Sequence, residues 1–248
     1  MLAGMTSDAQ AAPPDMLSIL THGEISLEGK FLWGSNYTFL VRISDPRADL
    51  RAVYKPIRGE RPLWDFPPHT LAKREVAAFI TSEALGWEFV PPTVLRQDGP
   101  AGPGSVQLFV NLDPQRHYFT FSEQEKERLR RVALFDALVN NADRKGGHVL
   151  LSPQGKIWLI DHGVCFHHQP KLRTVIWDFA GQSIPAELCA DVTRFMRRLR
   201  SDASLSAAYA PLLSQKEIEA LLRRGEELIE TARFPLPSEE RPYPWPLV

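Results

Sequence analysis

The stretch Asn140–Leu151, NNADRKGGHVLL, places an acidic residue, two cations, a glycine pair and a histidine in one loop, then runs straight into apolar residues. A surface turn accounts for the glycines, and Asn140 and Asn141 tolerate left-handed geometry at a helix C-terminus. It does not account for a second acidic turn soon after, in Ile157–Phe166, IWLIDHGVCF, where Asp161 follows a buried-strand pattern and precedes His162 and Gly163. Carboxylates beside glycine are common in plain turns. Two of them flanking a short hairpin with Gly155 at its bend read as the two sides of one phosphate-transfer site.

Working outward, the segment before Asn140 carries Leu129, Val132, Phe135 and Val139 at helical spacing, and Ser122 with Glu125 forms a capping box. One long helix is therefore expected there. Upstream, EISLEGKFLWGSNYTFLVRI (24–43) alternates apolar and polar residues, and LRAVYKP (50–56) adds a strand ended by Pro56. Thr70 is placed to cap a helix running to about Gly86, with Val76, Phe79, Ile80 and Leu85 inward. PPTVLR and SVQLFV read as two further strands split by the turn QDGPAGPG (97–104). Downstream the chain reads as helix at about 185–200, 204–210 and 214–232. It ends in FPLPSEERPYPWPLV, whose five prolines rule out a regular helix and leave an extended tail, free or laid over the surface. Strands first and helices second make an α+β layout of two lobes. The expected divisions are a flexible leader over 1–16 with strand-like pattern from Met16 onward, a sheet-rich part over 17–110, a helical part over 111–234 and a proline-rich tail over 235–248.

With 248 residues and 44% hydrophobic content, the chain buries a core of full size. Its 29 basic and 30 acidic residues leave a net charge of -1, so no global field recruits nucleic acid or an anionic membrane. Two cysteines, Cys165 and Cys189, are too few for a disulfide framework, and no apolar run approaches the ~18 residues of a membrane span. A cytoplasmic protein is expected.

Four residues stand in an order that phosphoryl transfer requires. Lys55 lies inside an apolar strand, in AVYKP; alone it reads as an edge lysine reaching water. Glu75 lies early in the next helix, where an inward carboxylate can pair with Lys55 and aim its ammonium at phosphate oxygens. Asp143 and Asp161 complete the set. They supply the four parts of the reaction: a cation on the phosphates, an orienter for it, a group at the nucleophile and a carboxylate for metal. His167 and His168 beside Cys165 lack a second ligand pair at metal spacing. In GERPLWDFPPHTL (59–71), Trp64 and Phe66 read as a plug over the small lobe's core, with substrate contact as the alternative.

These words resemble the phosphatidylinositol 3-/4-kinase branch of the protein-kinase-like fold, closest to the type II phosphatidylinositol 4-kinases. Asp143-Arg144 with His148 five positions after Asp143 is similar to the family's D-R-x-x-x-N loop, with His in place of Asn. Ile160-Asp161-His162-Gly163 is similar to its I-D-N-G metal turn, and Gly104–Val110, GSVQLFV, to its strand leading to the nucleotide hinge. REVAAF (74–79) and VPPTV (90–94) resemble the HipA-like serine/threonine kinases of the same fold. The resemblance covers roughly residues 25–185.

It implies a two-lobed fold with an antiparallel sheet in the N-lobe and a mostly helical C-lobe. It also implies ATP with Mg²⁺ or Mn²⁺. Lys55 would bind the α/β-phosphates and Glu75 would orient it; Asp143 would serve the acceptor hydroxyl, and Asp161 the metal. Gln107, Leu108, Phe109 and Val110 would line the adenine slot, and the turn 34–37, with Ser35 and Asn36, would cover the phosphates. His148 is either a second metal ligand, favouring Mn²⁺ and losing activity below about pH 6.5, or a brace for the loop. The acceptor is an inositol lipid headgroup or similar polyol, as the family implies, or protein Ser/Thr, as in the HipA-like kinases. A nucleotide-binding pseudokinase is the third reading.

Overall fold

The computed structural model describes residues 14–31 and 36–248. The turn proposed at the phosphates therefore falls partly outside them: Gly34 and Ser35 are not among the described residues. The chain opens with helix α1, Pro14–His22, followed by strands β1 Glu24–Lys30, β2 Phe39–Asp45 and β3 Ala48–Pro56. Helix α2, Leu71–Leu85, leads to β4 Thr93–Arg96 and β5 Gly104–Leu108. The five strands form one antiparallel sheet in the order β1-β2-β3-β5-β4.

Alternation along β3 sorts the sheet's two faces. Ala52 and Tyr54 are buried with Ile19 and Leu20 of α1 and with Val41, Ile43 and Val106. Val53 and Lys55 point the other way and line the cleft. A register pairing Lys55 with Ser105 and Val53 with Gln107 brings the end of β5 to the same cleft.

Helix α1 overturns both the strand-like reading from Met16 and the leader reading of residues 14–16. Its apolar positions pack on the sheet, and its last carbonyls are held from β4. Arg96 Nη1 donates to Gly23 O at 2.7 Å and to Leu20 O at 3.4 Å. Helix α2 forms where expected, but Thr70 does not cap it: its hydroxyl donates to Pro67 O, and the Ala72 N–H is satisfied by Glu60 Oε1 at 2.9 Å. Gly86 ends it in the left-handed region, φ 73°.

The C-lobe begins with α3 Glu123–Glu127 and α4 Arg130–Val139, two helices where one was expected. The Ser122/Glu125 capping box is present at α3. The last turn of α3 then tightens to i→i+3 bonds, Arg128 N to Glu125 O and Leu129 N to Lys126 O. The break turns Leu129 fully into the core and sends Arg128 to the carbonyl of Gly155. The hairpin β6 Val149–Leu151 and β7 Ile157–Leu159 follows, with Gly155 at φ 81° in its bend. Helices α5 Ala186–Ser201, α6 Ala203–Tyr209 and α7 Gln215–Thr231 complete the lobe around Phe135, Leu138, Phe179, Phe195 and Leu221. The proline-rich tail is laid over the surface. Phe234 is buried against Phe179, Pro242 O accepts from Thr174 N and Trp177 Nε1, and Leu247 O accepts from Gly146 N at 2.8 Å. No helix among the described residues is long and apolar enough to cross a membrane.

One buried ion pair fastens the lobes. Arg74 of α2 donates through Nη2 to Glu217 of α7 and through Nη1 to Cys165 O at 2.5 Å, with the Phe66 ring 5.0 Å from its guanidinium. Glu217 also accepts from Ser214 N and Oγ, so both oxygens are used. Although burial works against its charge, Arg74 and Ser214 together hold the Glu217 carboxyl below its ordinary value of 4.5. Removing one partner strands the other, so Arg74→Ala should cost about 3–5 kcal/mol in urea unfolding. The Glu217 contribution is present above pH 4.5 and lost as pH falls below it, so the variant's stability should also fall less steeply in that acid range. A loss below about 1 kcal/mol, the size of an exposed pair, would show that the lobes do not depend on this contact.

Candidate active site

Between the lobes lies a cavity of about 600 Å³. Lys55 reaches its centre from β3: Nζ donates to Glu75 Oε1 at 2.5 Å and to Asp161 Oδ1 at 2.9 Å. Glu75, 2% exposed on α2, accepts with its second oxygen from the His162 backbone N–H at 2.9 Å. One carboxylate thus ties strand, helix and acidic turn together. Burial disfavours the Lys55 ammonium, but Asp161 and Glu75 outweigh it and raise its proton affinity above the lysine norm. The same ammonium holds Asp161 far below the ordinary carboxylate range, while burial pushes Glu75 upward against the pull of Lys55.

Asp161 has φ 60°, a left-handed conformation costing a non-glycine residue about 1–3 kcal/mol, and its side chain stays half exposed to the cleft. Opposite it stands His148. Its Nδ1 lies 3.1 Å from the carbonyl of Asp143 and 3.5 Å from the Lys145 N–H, and the shorter contact favours the tautomer with the proton on Nδ1. Nε2 then presents a lone pair 3.4 Å from Asp161 Oδ2. Two acceptors facing each other at that distance are a donor set for a cation. Burial holds the imidazole down to about 4, below the free-imidazole value of 6.5. Asp143 is pushed up to about 6 by burial, against the attraction of Lys145, whose Nζ is 3.5 Å from Oδ2.

The two acidic turns are aligned by Arg144, which is fully buried. Nε and Nη2 donate to both oxygens of Asp136 at 2.9 Å. Nη1 donates to the carbonyls of Ile160 at 3.0 Å and His148 at 3.3 Å, and Nη2 meets His162 Nε2 at 2.8 Å. Asn141 bridges the Asp136 carboxylate to the Asp143 backbone N–H.

The structure brings Lys55, Glu75, Asp161 and His148 into contact, whereas Asp143 meets His148 only through its backbone carbonyl and is not among the residues lining the cavity. Gln107, Leu108, Phe109 and Val110 line the cavity, as does Asn36, whose Oδ1 accepts from Arg61 N. The N–H groups of Leu108 and Phe109 are taken by Pro92 O and Arg51 O, so the backbone edge free for a base starts at Val110. The Gln107 side chain, on the same face as Val53, is engaged by Thr93, donating to its Oγ1 at 2.8 Å. Phe66 is buried between Arg74 and His167, whereas Trp64 is 92% exposed and plugs nothing.

Sequence reasoning missed Val53, Leu150 and Ile160, which line the cavity, and Asp136, which orients Arg144. Val53 was within reach, because period two puts it on the face of Lys55. Asp136 left a fainter signal: a carboxylate on the apolar face of α4. Among the described residues no group of three His, Cys, Asp or Glu side chains forms a metal cage.

Comparison with known proteins bears on this geometry. A model of the family "Phosphatidylinositol 3- and 4-kinase" matches residues 71–221. Protein Rv2133c of Mycobacterium tuberculosis is 39% identical over 94% of this chain and 95% of that protein. Phosphatidylinositol 4-kinase gamma 4 of Oryza sativa subsp. japonica is 27% identical over 58% of this chain, which spans 32% of the plant protein. A solved structure of the Golgi casein kinase with Mn/ADP bound superposes with a TM-score of 0.60 over 88% of this chain and 74% of that one, at 18% identity. That likeness shows the fold, an α+β, two-lobed, protein-kinase-like architecture. With more than half of its length matched by the family model, the chain belongs to the phosphatidylinositol 3- and 4-kinase family.

Proposed function

We propose that the protein transfers the γ-phosphate of ATP to the hydroxyl of an inositol lipid or similar polyol. The observation that carries this reading is the Lys55 ammonium bonded at once to Glu75 and Asp161 inside the interlobe cavity. Phosphoryl transfer is largely a matter of positioning and charge neutralisation, and the residues divide that work. Lys55, held by Glu75, binds phosphate oxygens. Val53 above and Leu150 and Ile160 below flank the base, with the Val110 backbone at its edge. Asp143, on the same loop as His148, has a raised proton affinity that suits a group taking a hydroxyl proton.

A divalent cation fits the donors present: the Asp161 carboxylate and, in the tautomer with its proton on Nδ1, the Nε2 lone pair of His148 face one another at 3.4 Å. Phosphate oxygens and water would complete its shell, the usual arrangement for Mg²⁺, while the imidazole favours Mn²⁺. The cation would neutralise charge on the phosphates; the other tasks fall to the chain itself. The family membership supports the polyol acceptor over protein Ser/Thr, and the four groups in contact argue against a pseudokinase.

Incubation with γ-labelled ATP and Mg²⁺ or Mn²⁺ tests the reading. Label is expected on a lipid extract; label on protein would favour the serine/threonine alternative, and no transfer with either metal would overturn the enzyme.

Lys55→Ala should weaken nucleotide binding about tenfold or more, the scale of one charge-assisted hydrogen bond. Glu75→Gln should act in the same direction but less, since it touches no phosphate; a Glu75 variant worse than the Lys55 variant would assign the carboxylate another task. The two aspartates should fail differently. Asp161→Asn loses metal-dependent nucleotide affinity, whereas Asp143→Asn keeps it and loses about 10²–10⁴ in turnover. Calorimetry showing both equally unable to bind metal-ATP would contradict this division. His148→Asn should shift the preference from Mn²⁺ toward Mg²⁺ while retaining activity; an unchanged preference would leave His148 as a brace.

A further inference from the structure

A second cavity, of about 420 Å³, lies apart from the interlobe cleft. Four cations converge on it: Arg128, at the break between α3 and α4; Arg130 and Arg131, in the first turn of α4; and Lys156, at the hairpin bend. Trp87 and Phe89, both largely buried, contribute the edges of their rings to its lining. One carboxylate, Glu187, stands at its edge.

The neighbouring acids do not neutralise this group. Arg130 is engaged by Glu127 at 3.0 Å, by Gln182 at 2.8 Å and by the Phe179 ring. Lys156 is engaged by the Trp158 ring, with Glu88 at 3.8 Å, so the cations left to a ligand are Arg128 and Arg131. Arg128 spends its guanidinium on an uncharged carbonyl, that of Gly155, and has no carboxylate partner among the described residues. Arg131 forms no ion pair within 4 Å among the described residues, although it helps to lower the Asp191 carboxyl from a distance. Asp191 nearby is already engaged by Trp87 Nε1 at 2.9 Å and by Arg194 at 2.5 Å. Both helices that end at this cavity, α4 and α5, start without a side-chain cap. Their first N–H groups add positive potential to the guanidinium pair.

A merely solvated basic face presents arginines on a convex surface. Here they line a concavity within the size range of small-ligand sites, beside the exposed edges of two rings and the apolar Ile157 and Leu188. We infer that this cavity is a second binding site, for a compact phosphorylated ligand whose phosphate groups are gripped by Arg128 and Arg131 while its body fills the concavity beside the edges of Trp87 and Phe89. Arginine is suited to this task because its planar fork meets phosphate oxygens two at a time. The site is independent of the phosphotransfer reading and shares no lining residue with the interlobe cavity.

The test is a titration of inositol trisphosphate into the full chain with the cleft saturated by a non-hydrolysable ATP analogue. Wild type should bind, and Arg128→Ala/Arg131→Ala should bind about tenfold more weakly or worse, the scale expected for lost charge-assisted bonds. Both arginines are exposed, so the variant is expected to fold, and unchanged binding of the ATP analogue checks this. Glu187→Gln should bind more tightly than wild type, because it removes the carboxylate facing the anion; a structural role for the residue gives no such gain. Lys55→Ala should leave this binding unchanged. Co-sedimentation with phosphatidylcholine vesicles, with and without a phosphorylated phosphatidylinositol, separates the sources. Pelleting only with the phosphorylated lipid assigns a headgroup; binding only of soluble inositol trisphosphate assigns a free ligand. Absence of binding with the cleft filled, or equal binding by the double-arginine variant, would overturn the site.

Discussion

The guanidinium of Arg144 is the constraint on which the site depends. A fully buried cation is tolerated only if every donor finds an acceptor, and all five of its N–H groups do. Because two of those acceptors are the backbone carbonyls of His148 and Ile160, satisfying the charge fixes the spacing of the two acidic turns. The His148 ring and the Asp161 carboxylate then face each other across 3.4 Å as a consequence of backbone geometry. Asp136 supplies the counter-charge from α4, so the C-lobe core and the chemistry share one network.

A second set of contacts joins this network to the N-lobe. Glu75 accepts from Lys55 on one side and from the His162 N–H on the other, while the adjacent Arg74 anchors α2 to α7. Consecutive residues of one helix therefore do different work: Arg74 fixes where α2 sits, and Glu75 uses that position to aim Lys55. The strained φ of Asp161 fits the same picture, since the turn is held on both flanks, by Ile160 O on Arg144 and by the His162 amide on Glu75.

Much of this was legible in the sequence, and the rest was hidden for identifiable reasons. Local signals with short range were read correctly: the Ser122/Glu125 capping box, Gly155 at the hairpin bend and the three C-terminal helices. Features decided by partners far along the chain were not. Helix α1 reads as loop or strand because its terminal carbonyls are held by Arg96, and α2 is capped by Glu60 rather than by the adjacent Thr70. The break before α4 follows from burying Leu129 while Arg128 turns to Gly155. The low proton affinity of His148 is likewise a product of burial, which residue type alone does not reveal.

The central claim is that the two acidic turns form two sides of one metal-nucleotide site. The most direct measurement is a crystal structure with Mn²⁺ and a non-hydrolysable ATP analogue, using the anomalous signal of manganese to place the metal. The account predicts manganese bound by Asp161 Oδ2 and His148 Nε2, Lys55 Nζ on phosphate oxygens, and the base against Val53 and the Val110 backbone. Nucleotide bound outside the interlobe cavity, or manganese touching neither Asp161 nor His148, would contradict it.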